Sequence, residues 1–134
     1  MTMNSLLLPE NAIEVIRGET KTLRLTVQQK DPTGEKSWIP VDLTDSVIYF
    51  TVKKEAEHRE TLIAKRSSVV GEAEITNPRG GVAEIYLIPS DTDCLDATDY
   101  VYDVWVYYTA TAKRYPVVTP SVFRVVPGVT RIPV

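Results

Sequence analysis

Apolar and polar residues alternate along most of this chain with a period of two. Between residues 21 and 30, Leu23, Leu25 and Val27 are separated by polar or charged neighbours. Because successive side chains of a β-strand point to opposite faces, this pattern predicts strands with one buried face. The segments that show the pattern most clearly are 21–30, 46–54, 82–88, 99–110 and 114–126, with shorter candidates at 12–17, 61–67 and 72–76.

Turn-forming sequences separate these segments. Residues 31–34 read Asp-Pro-Thr-Gly, and residues 77–81 read Asn-Pro-Arg-Gly-Gly, which supply proline and glycine at positions that suit tight turns. The best helical candidate is a single turn within 89–95, in which Ser90 caps the helix and Asp93 follows three residues later. About seven to nine short strands joined by such turns predict an all-β fold, either an antiparallel sandwich or a small barrel.

Tyr100 favours the immunoglobulin-like sandwich. Residues 95–100 lead from a turn into a long apolar strand, as in a tyrosine corner, where the tyrosine hydroxyl binds backbone a few residues upstream. The plainer interpretation is that Tyr100 is only an aromatic residue of the core.

The length of 134 residues is that of one domain. We expect a β-sandwich domain over 12–127, preceded by an N-terminal arm over 1–11 and followed by a C-terminal tail over 128–134. The arm contains Leu6, Leu7 and Leu8, which are too few for a signal-peptide core or a membrane span. Apolar tails of this kind are either frayed ends or segments that lie along a neighbouring subunit.

The charge pattern gives no reason to expect nucleic acid as a partner. The formal net charge is -3, and binding to phosphates requires clustered Lys and Arg. The densest group of basic residues is mixed with glutamates, so we expect a solvated loop and strand end there. Its members are Lys53, Lys54, Arg59, Lys65 and Arg66, interspersed with Glu55, Glu57 and Glu60.

Residues that carry chemistry are sparse. The single histidine, His58, lies among charged residues and is expected to be exposed, and the single cysteine, Cys94, is expected to be a small buried residue at the edge of the core. Asp91, Asp93, Asp96 and Asp99 suggest calcium ligands or, more simply, helix-capping and turn residues. We therefore expect no catalytic residue, cofactor or metal, and a protein that is not an enzyme.

The outer face of the predicted sheet is the remaining candidate site. The strands at 46–54 and 99–110 are plausible neighbours, which would place Val47, Tyr49, Val101, Trp105 and Tyr107 together on one surface. Exposed aromatic and apolar patches are typical of contact surfaces. The alternative is that termini or long loops cover this face.

Several of these segments, in the same order, resemble a family of small bacteriophage structural domains. The family is typified by the immunoglobulin-like N-terminal domain of the baseplate upper protein. The matching stretches are 17–20, 23–27, 41–44, 47–53, 81–87, 89–92, 100–106, 123–125 and 129–131. The chain departs from the family at 110–113, where Ala-Thr-Ala-Lys replaces the usual Asp-Gly turn.

The resemblance implies a virion structural or assembly protein of a tail, baseplate, connector or capsid accessory complex. Such a protein is made and assembled in the cytoplasm of the host bacterium, contacts other virion proteins and forms a homo-oligomer in the particle. The resemblance brings no catalytic residues with it. A carbohydrate- or host-receptor-binding module is the alternative function, because exposed Trp and Tyr rings also stack on sugars.

Overall fold

A computed structural model of the chain describes residues 2–5 and 11–130. Strand accounts for 55% of the protein and helix for 3%, so the all-β prediction is confirmed. The strands are β1 (Thr2–Ser5), β2 (Ile13–Ile16), β3 (Lys21–Lys30), β4 (Trp38–Pro40), β5 (Ser46–Lys53), β6 (Thr61–Arg66), β7 (Ala73–Asn77), β8 (Val82–Leu87), β9 (Asp99–Tyr108) and β10 (Lys113–Val126). A one-turn helix, α1 (Pro89–Thr92), connects β8 to β9.

The strands form two five-stranded sheets. In the first, which we call the β3 sheet, the order is β1-β3-β8-β7, and β4 also pairs with β3. In the second, the β9 sheet, the order is β2-β10-β9-β5-β6. The pairing of β2 with β10 is parallel, whereas the other pairings between the described strands are antiparallel.

One hydrophobic core lies between the two sheets. The alternating residues Leu23, Leu25 and Val27 of β3 are buried, as the period of two predicts, and they share a cluster with Phe50 and Tyr102 of the β9 sheet. The ring centroids of Phe50 and Tyr102 are 5.5 Å apart in a tilted arrangement. Each large side chain buried in this way contributes about 1.5–3 kcal/mol to stability.

The corner between α1 and β9 has the hydrogen bond that defines a tyrosine corner. The hydroxyl of Tyr100 donates to the carbonyl oxygen of Asp96 at a distance of 2.8 Å. The ring itself is buried in the core, so Tyr100 both fills space between the sheets and holds the loop that leads into β9.

The helix lies within the predicted segment 89–95, but its cap is two residues earlier than Ser90. Ser90 is not the capping residue; the backbone N–H of Ile88 donates to the Asp91 carboxylate at 2.8 Å, and Pro89 is the first helical residue. Proline suits this position because its fixed φ is already helical and its missing N–H would have no partner there.

Cys94 is exposed, so the prediction that it is a small buried residue is wrong. The inward side of the turn after α1 is occupied by Thr92, which is fully buried, and by Leu95, which packs against the core. The hydroxyl oxygen of Thr92 accepts the backbone N–H of Gly18 at 2.8 Å, which fixes the turn with Cys94 on its outer side.

The prediction that Lys65 is exposed to solvent is also wrong. Lys65 is buried, and its ammonium group lies 2.8 Å from the carboxylate of Asp91, although the mixed charges around it predicted a solvated position. The strand alternation explains the difference, because Lys65 has the same parity as the buried Ile63 on β6. His58, in the loop between β5 and β6, is exposed as predicted.

The N-terminal arm expected over 1–11 contains a strand of the fold. Thr2–Ser5 pairs with Leu25–Gln28 of β3 at the edge of the β3 sheet. Backbone hydrogen bonds alone can add an edge strand, so apolar alternation is not required for it. Leu6, Leu7 and Leu8 lie outside the described residues, as does the end of the C-terminal tail from residue 131.

Strand β10 is long and irregular. Its pairing with β9 shifts register between Pro116 and Val118 and again between Val118 and Ser121. Proline lacks the backbone N–H that a ladder needs, and β10 contains both Pro116 and Pro120. In the turn before it, Ala112 has a φ of 57°, in the left-handed region that favours glycine.

Candidate interaction surface

Strands β5 and β9 are neighbours, and their register brings the predicted surface residues together. Tyr49 lies opposite Trp105, and Val47 lies opposite Tyr107. Val101, on the same side of β9, lies opposite Lys53. We call the surface formed by Val47, Tyr49, Val101, Trp105 and Tyr107 the aromatic face.

The aromatic face is the outer surface of the β9 sheet. Its residues alternate with buried core residues, among them Ile48 on β5 and Val104 and Val106 on β9. Trp105 keeps 37% of its surface exposed, and the other four residues are half-buried. The described loops therefore leave the centre of this face open.

The indole N–H of Trp105 has a hydrogen-bond partner on its own strand. The indole Nε1–H donates to the carboxylate of Asp103, which lies on the same face of β9, at 3.0 Å. This bond restrains the side chain, and it allows the apolar ring to be covered by a partner without leaving an unpaired N–H. A restrained aromatic side chain of this kind is a suitable anchor for a contact.

Two neighbouring strands add residues to this surface that the sequence reasoning did not include. On β10, Pro116 lies opposite Trp105 and Arg114 lies opposite Tyr107. On β6, Arg66 lies opposite Tyr49. The alternation on β6 and β10 could place these residues on an outer face, but only the pairing of the strands shows which face it is.

Two shallow depressions flank Trp105. One is lined by Tyr49, Trp105, Tyr107 and Arg114. The other is lined by Thr51, Lys53, Ala56, Val101, Asp103 and Trp105. Both are open to solvent and have polar groups at their margins, so they suit a surface contact better than the enclosure of a small molecule.

The outer face of the β3 sheet has a different character. Its central positions on β3, β8 and β7 carry mainly polar and charged side chains, namely Thr22, Arg24, Thr26, Glu74, Glu84 and Tyr86. The Tyr86 hydroxyl donates to the Glu74 carboxylate at 3.1 Å. The two outer faces are thus unequal: the β9 sheet carries the exposed Trp105 on a central strand, whereas the exposed Trp38 of the β3 sheet lies on the short strand β4.

The acidic residues near α1 have local structural partners. Asp91 caps the helix and pairs with Lys65, while Asp99 accepts a hydrogen bond from the Arg124 side chain at 2.7 Å. The Arg124 guanidinium lowers the pKa of the Asp99 carboxyl group below its usual value. These contacts agree with the capping-and-turn interpretation of Asp91 and Asp99.

Residues 2–5 and 11–130 contain neither a candidate metal site nor a candidate membrane-spanning helix. Their His, Cys, Asp and Glu side chains form no group of three or more that could hold a metal ion. The same part of the chain has no helix with the length and apolar character needed to span a membrane.

Comparison with known proteins does not place the chain in a family. The sequence matches no protein-family model, and a search among curated proteins finds no similar sequence.

Proposed function

We propose that this chain is an immunoglobulin-like domain that serves as a non-enzymatic structural or assembly component of a bacteriophage particle. It would act through protein–protein contacts made by the aromatic face. Its partners would be other virion proteins and further copies of itself, joined after synthesis in the host bacterial cytoplasm.

The strand order supports the immunoglobulin-like assignment. Immunoglobulin domains have strands A, B, E and D in one sheet and C, F and G in the other. If β1 and β2 are two parts of strand A, then β3, β5, β7, β8, β9 and β10 correspond to B, C, D, E, F and G. The order β1-β3-β8-β7 then reads A-B-E-D, and β10-β9-β5 reads G-F-C. The hydrogen bond of Tyr100, at the start of the strand equivalent to F, adds independent support.

The observation that carries the contact function is the open aromatic face around Trp105. It combines an exposed indole ring, half-buried Tyr49 and Tyr107, and a cationic margin on a regular sheet. Trp, Tyr and Arg are the residues that most often dominate binding energy at protein interfaces. The bacteriophage setting rests on the resemblance of the sequence segments to baseplate-type domains.

Incorporation into particles is the direct test. Particles would be purified from a host that carries the gene, and copies of the chain per particle would be counted by quantitative mass spectrometry. We expect the wild-type chain to be present in stoichiometric amounts and Trp105→Ala to lower its incorporation at least about tenfold, a loss of about 1.4 kcal/mol or more.

Val70→Ala is the control, because Val70 is also an exposed apolar residue but lies in the turn between β6 and β7, on neither sheet. It should leave incorporation unchanged. If the wild-type chain is missing from purified particles, the structural role is wrong. Equal incorporation of Trp105→Ala and Val70→Ala would remove the aromatic face from the proposal.

The depression beside Trp105 gives a specific reason to keep carbohydrate or receptor binding as a second candidate. The indole ring lines this depression together with the polar residues Thr51, Lys53 and Asp103. A sugar ring could stack on the indole while these polar groups bind its hydroxyl groups. A glycan array distinguishes the two functions. Trp38→Ala removes an exposed indole ring from β4 of the other sheet and is the control. Binding that is lost in Trp105→Ala and kept in Trp38→Ala would favour the second candidate.

A further inference from the structure

We propose that the aromatic face of one copy of this chain binds the outer face of the β3 sheet of a second copy, in a head-to-tail arrangement. The inference rests on the proposed function, because it names the partner of the same surface. It is carried by the opposite electrostatic character of the two outer faces.

The surroundings of the aromatic face are cationic. Arg114 lines the depression next to Tyr107, Arg66 lies opposite Tyr49, and Lys53 lines the depression on the other side of Trp105. Of the carboxylates on the same face of β9, Asp103 already accepts the indole N–H of Trp105, and Asp99 is paired with Arg124. The excess of cations stands out in a protein whose formal net charge is -3.

The centre of the opposite outer face has an excess of carboxylates. Glu74 on β7 lies directly opposite Glu84 on β8, and like charges in this cross-strand position destabilise a sheet. Arg24 lies opposite Glu84 on its other side, but no salt bridge between the described residues involves Glu74 or Glu84. Glu74 accepts a hydrogen bond from the Tyr86 hydroxyl, which leaves the repulsion between the two carboxylates uncompensated, and a cation from a partner would relieve it.

Charge favours the head-to-tail contact over pairing of two identical faces. If two aromatic faces met, Arg114, Arg66 and Lys53 of each copy would approach the same cations of the other, which is unfavourable in a desolvated contact. If the aromatic face meets the β3 sheet, the guanidinium of Arg114 can approach Glu74 and Glu84. Arg–carboxylate pairs are among the strongest hydrogen-bonded contacts in proteins.

This contact has a consequence for assembly. Because it joins two different surfaces, each added copy leaves one surface of each kind free at the ends, so the assembly grows into a chain or closes into a ring. Repeated copies arranged in this way suit a component of a larger particle.

The test uses charge reversal on each face and measures self-association of the full chain by sedimentation velocity. The protein would be examined from about 10 μM to about 1 mM, where contacts of modest affinity are populated. We expect concentration-dependent association of the wild type that weakens as salt is added, because the charged groups are partly exposed. Arg114→Glu and Glu74→Lys should each weaken association at least about tenfold.

The decisive sample is an equimolar mixture of the two variants. Arg114→Glu adds a carboxylate to the aromatic face, so that it meets an acidic partner face, and Glu74→Lys adds an ammonium group to the β3 sheet, so that it meets a cationic partner face. Each variant therefore repels itself. In the mixture the faces are complementary again, and association should return toward the wild-type level. Lys36→Glu and Glu35→Lys make the same changes in net charge in the exposed turn between β3 and β4, and they should leave association unchanged.

Three results would overturn the inference. One is a wild-type protein that remains monomeric at the highest concentration, and another is a mixture that associates no better than its separate components. The third is association that is lost in Trp105→Ala but unaffected by Glu74→Lys, which would indicate that two aromatic faces pair with each other. If the chain is nevertheless incorporated into particles through Trp105, the proposed function stands with a different protein as the partner.

Discussion

The ammonium group of Lys65 lies 2.8 Å from the carboxylate of Asp91, and only 8% and 15% of the two side chains are exposed. The same carboxylate accepts the backbone N–H of Ile88. Lys65 projects inward from β6, at the edge of the β9 sheet, whereas Asp91 belongs to the one-turn helix between the sheets. This ion pair therefore connects an edge strand to the corner of the fold.

Removing the cation of this pair should be costly. In Lys65→Met, a side chain of similar length remains, but Asp91 keeps its charge in a largely buried site without its partner. Breaking a buried ion pair in this way costs about 3 kcal/mol. Urea denaturation followed by circular dichroism measures the loss in free energy of unfolding.

A double-mutant cycle separates the ion pair from effects of packing. Asp91→Asn keeps an oxygen acceptor for the Ile88 N–H but removes the charge. The double variant should be clearly more stable than the sum of the two single losses predicts. With both residues replaced, neither an unpaired carboxylate nor an unpaired ammonium group remains in the buried site. Additive losses would show that Lys65 and Asp91 do not stabilise each other.

Tyr100→Phe should lower the free energy of unfolding by about 1 kcal/mol, the usual contribution of one buried hydrogen bond. The variant keeps the ring in the core and loses only the hydroxyl group that binds the Asp96 carbonyl oxygen. Tyr49→Phe, which removes a hydroxyl group from the solvent-facing side of the β9 sheet, is the control and should cost little. Equal stability of Tyr100→Phe and wild type would contradict a tyrosine corner.

Gly81→Ala should be far more destabilising than Gly34→Ala. Both glycines have positive φ, 70° and 77°, so alanine strains the backbone equally at the two positions. A Cβ atom at Gly81 would lie 2.5 Å from the Val27 carbonyl oxygen, whereas at Gly34 it would meet nothing within 4 Å. We expect about 1 kcal/mol for Gly34→Ala and about 3 kcal/mol or more for Gly81→Ala.

The difference between the two losses in free energy of unfolding measures how closely β3 approaches the turn before β8. Thermal or urea denaturation provides the measurement. Similar losses for both variants would mean that the backbone around Val27 moves away easily.

The Asp99 carboxyl group should titrate below the usual value for aspartate, which is about 4, because the Arg124 guanidinium stabilises its charged form. A lowered pKa in the folded state means that the contact stabilises the protein above the unfolded-state pKa. That contribution is lost as the pH falls through the folded-state pKa. Carboxyl ¹³C NMR would follow the titration directly.

Arg124→Gln is the matched variant for this titration and should raise the pKa of Asp99 toward its usual value. A pKa for Asp99 that is the same in wild type and in Arg124→Gln would contradict an ion pair in solution.

Cys94 should react in the folded protein with a thiol reagent such as Ellman's reagent. Because the side chain is exposed, the native rate should lie within about tenfold of the rate in urea-unfolded protein at the same pH. Strong protection of the thiol in the native state would support the original expectation of a buried cysteine.

The sequence by itself determined which side chains face the core of most strands. Leu23, Leu25 and Val27 are buried because a strand exposes its two faces in alternation, whatever its neighbours are. The same rule predicted that Tyr49 and Trp105 point away from the core. The turn sequence before Tyr100 predicted that a strand begins there. These are local properties of consecutive residues, so they can be derived without knowing the topology.

Only the tertiary structure decided the contacts between distant segments. The Lys65–Asp91 pair joins residues that are far apart in the chain, and the bond between Gly18 and Thr92 fixes the turn that leaves Cys94 exposed. Arg114 and Arg66 reach the aromatic face because β10 and β6 lie on either side of β9 and β5. Strand order and register depend on packing summed over the whole core, and no local period records them. For that reason the sequence predicted the aromatic face but not the cations that surround it.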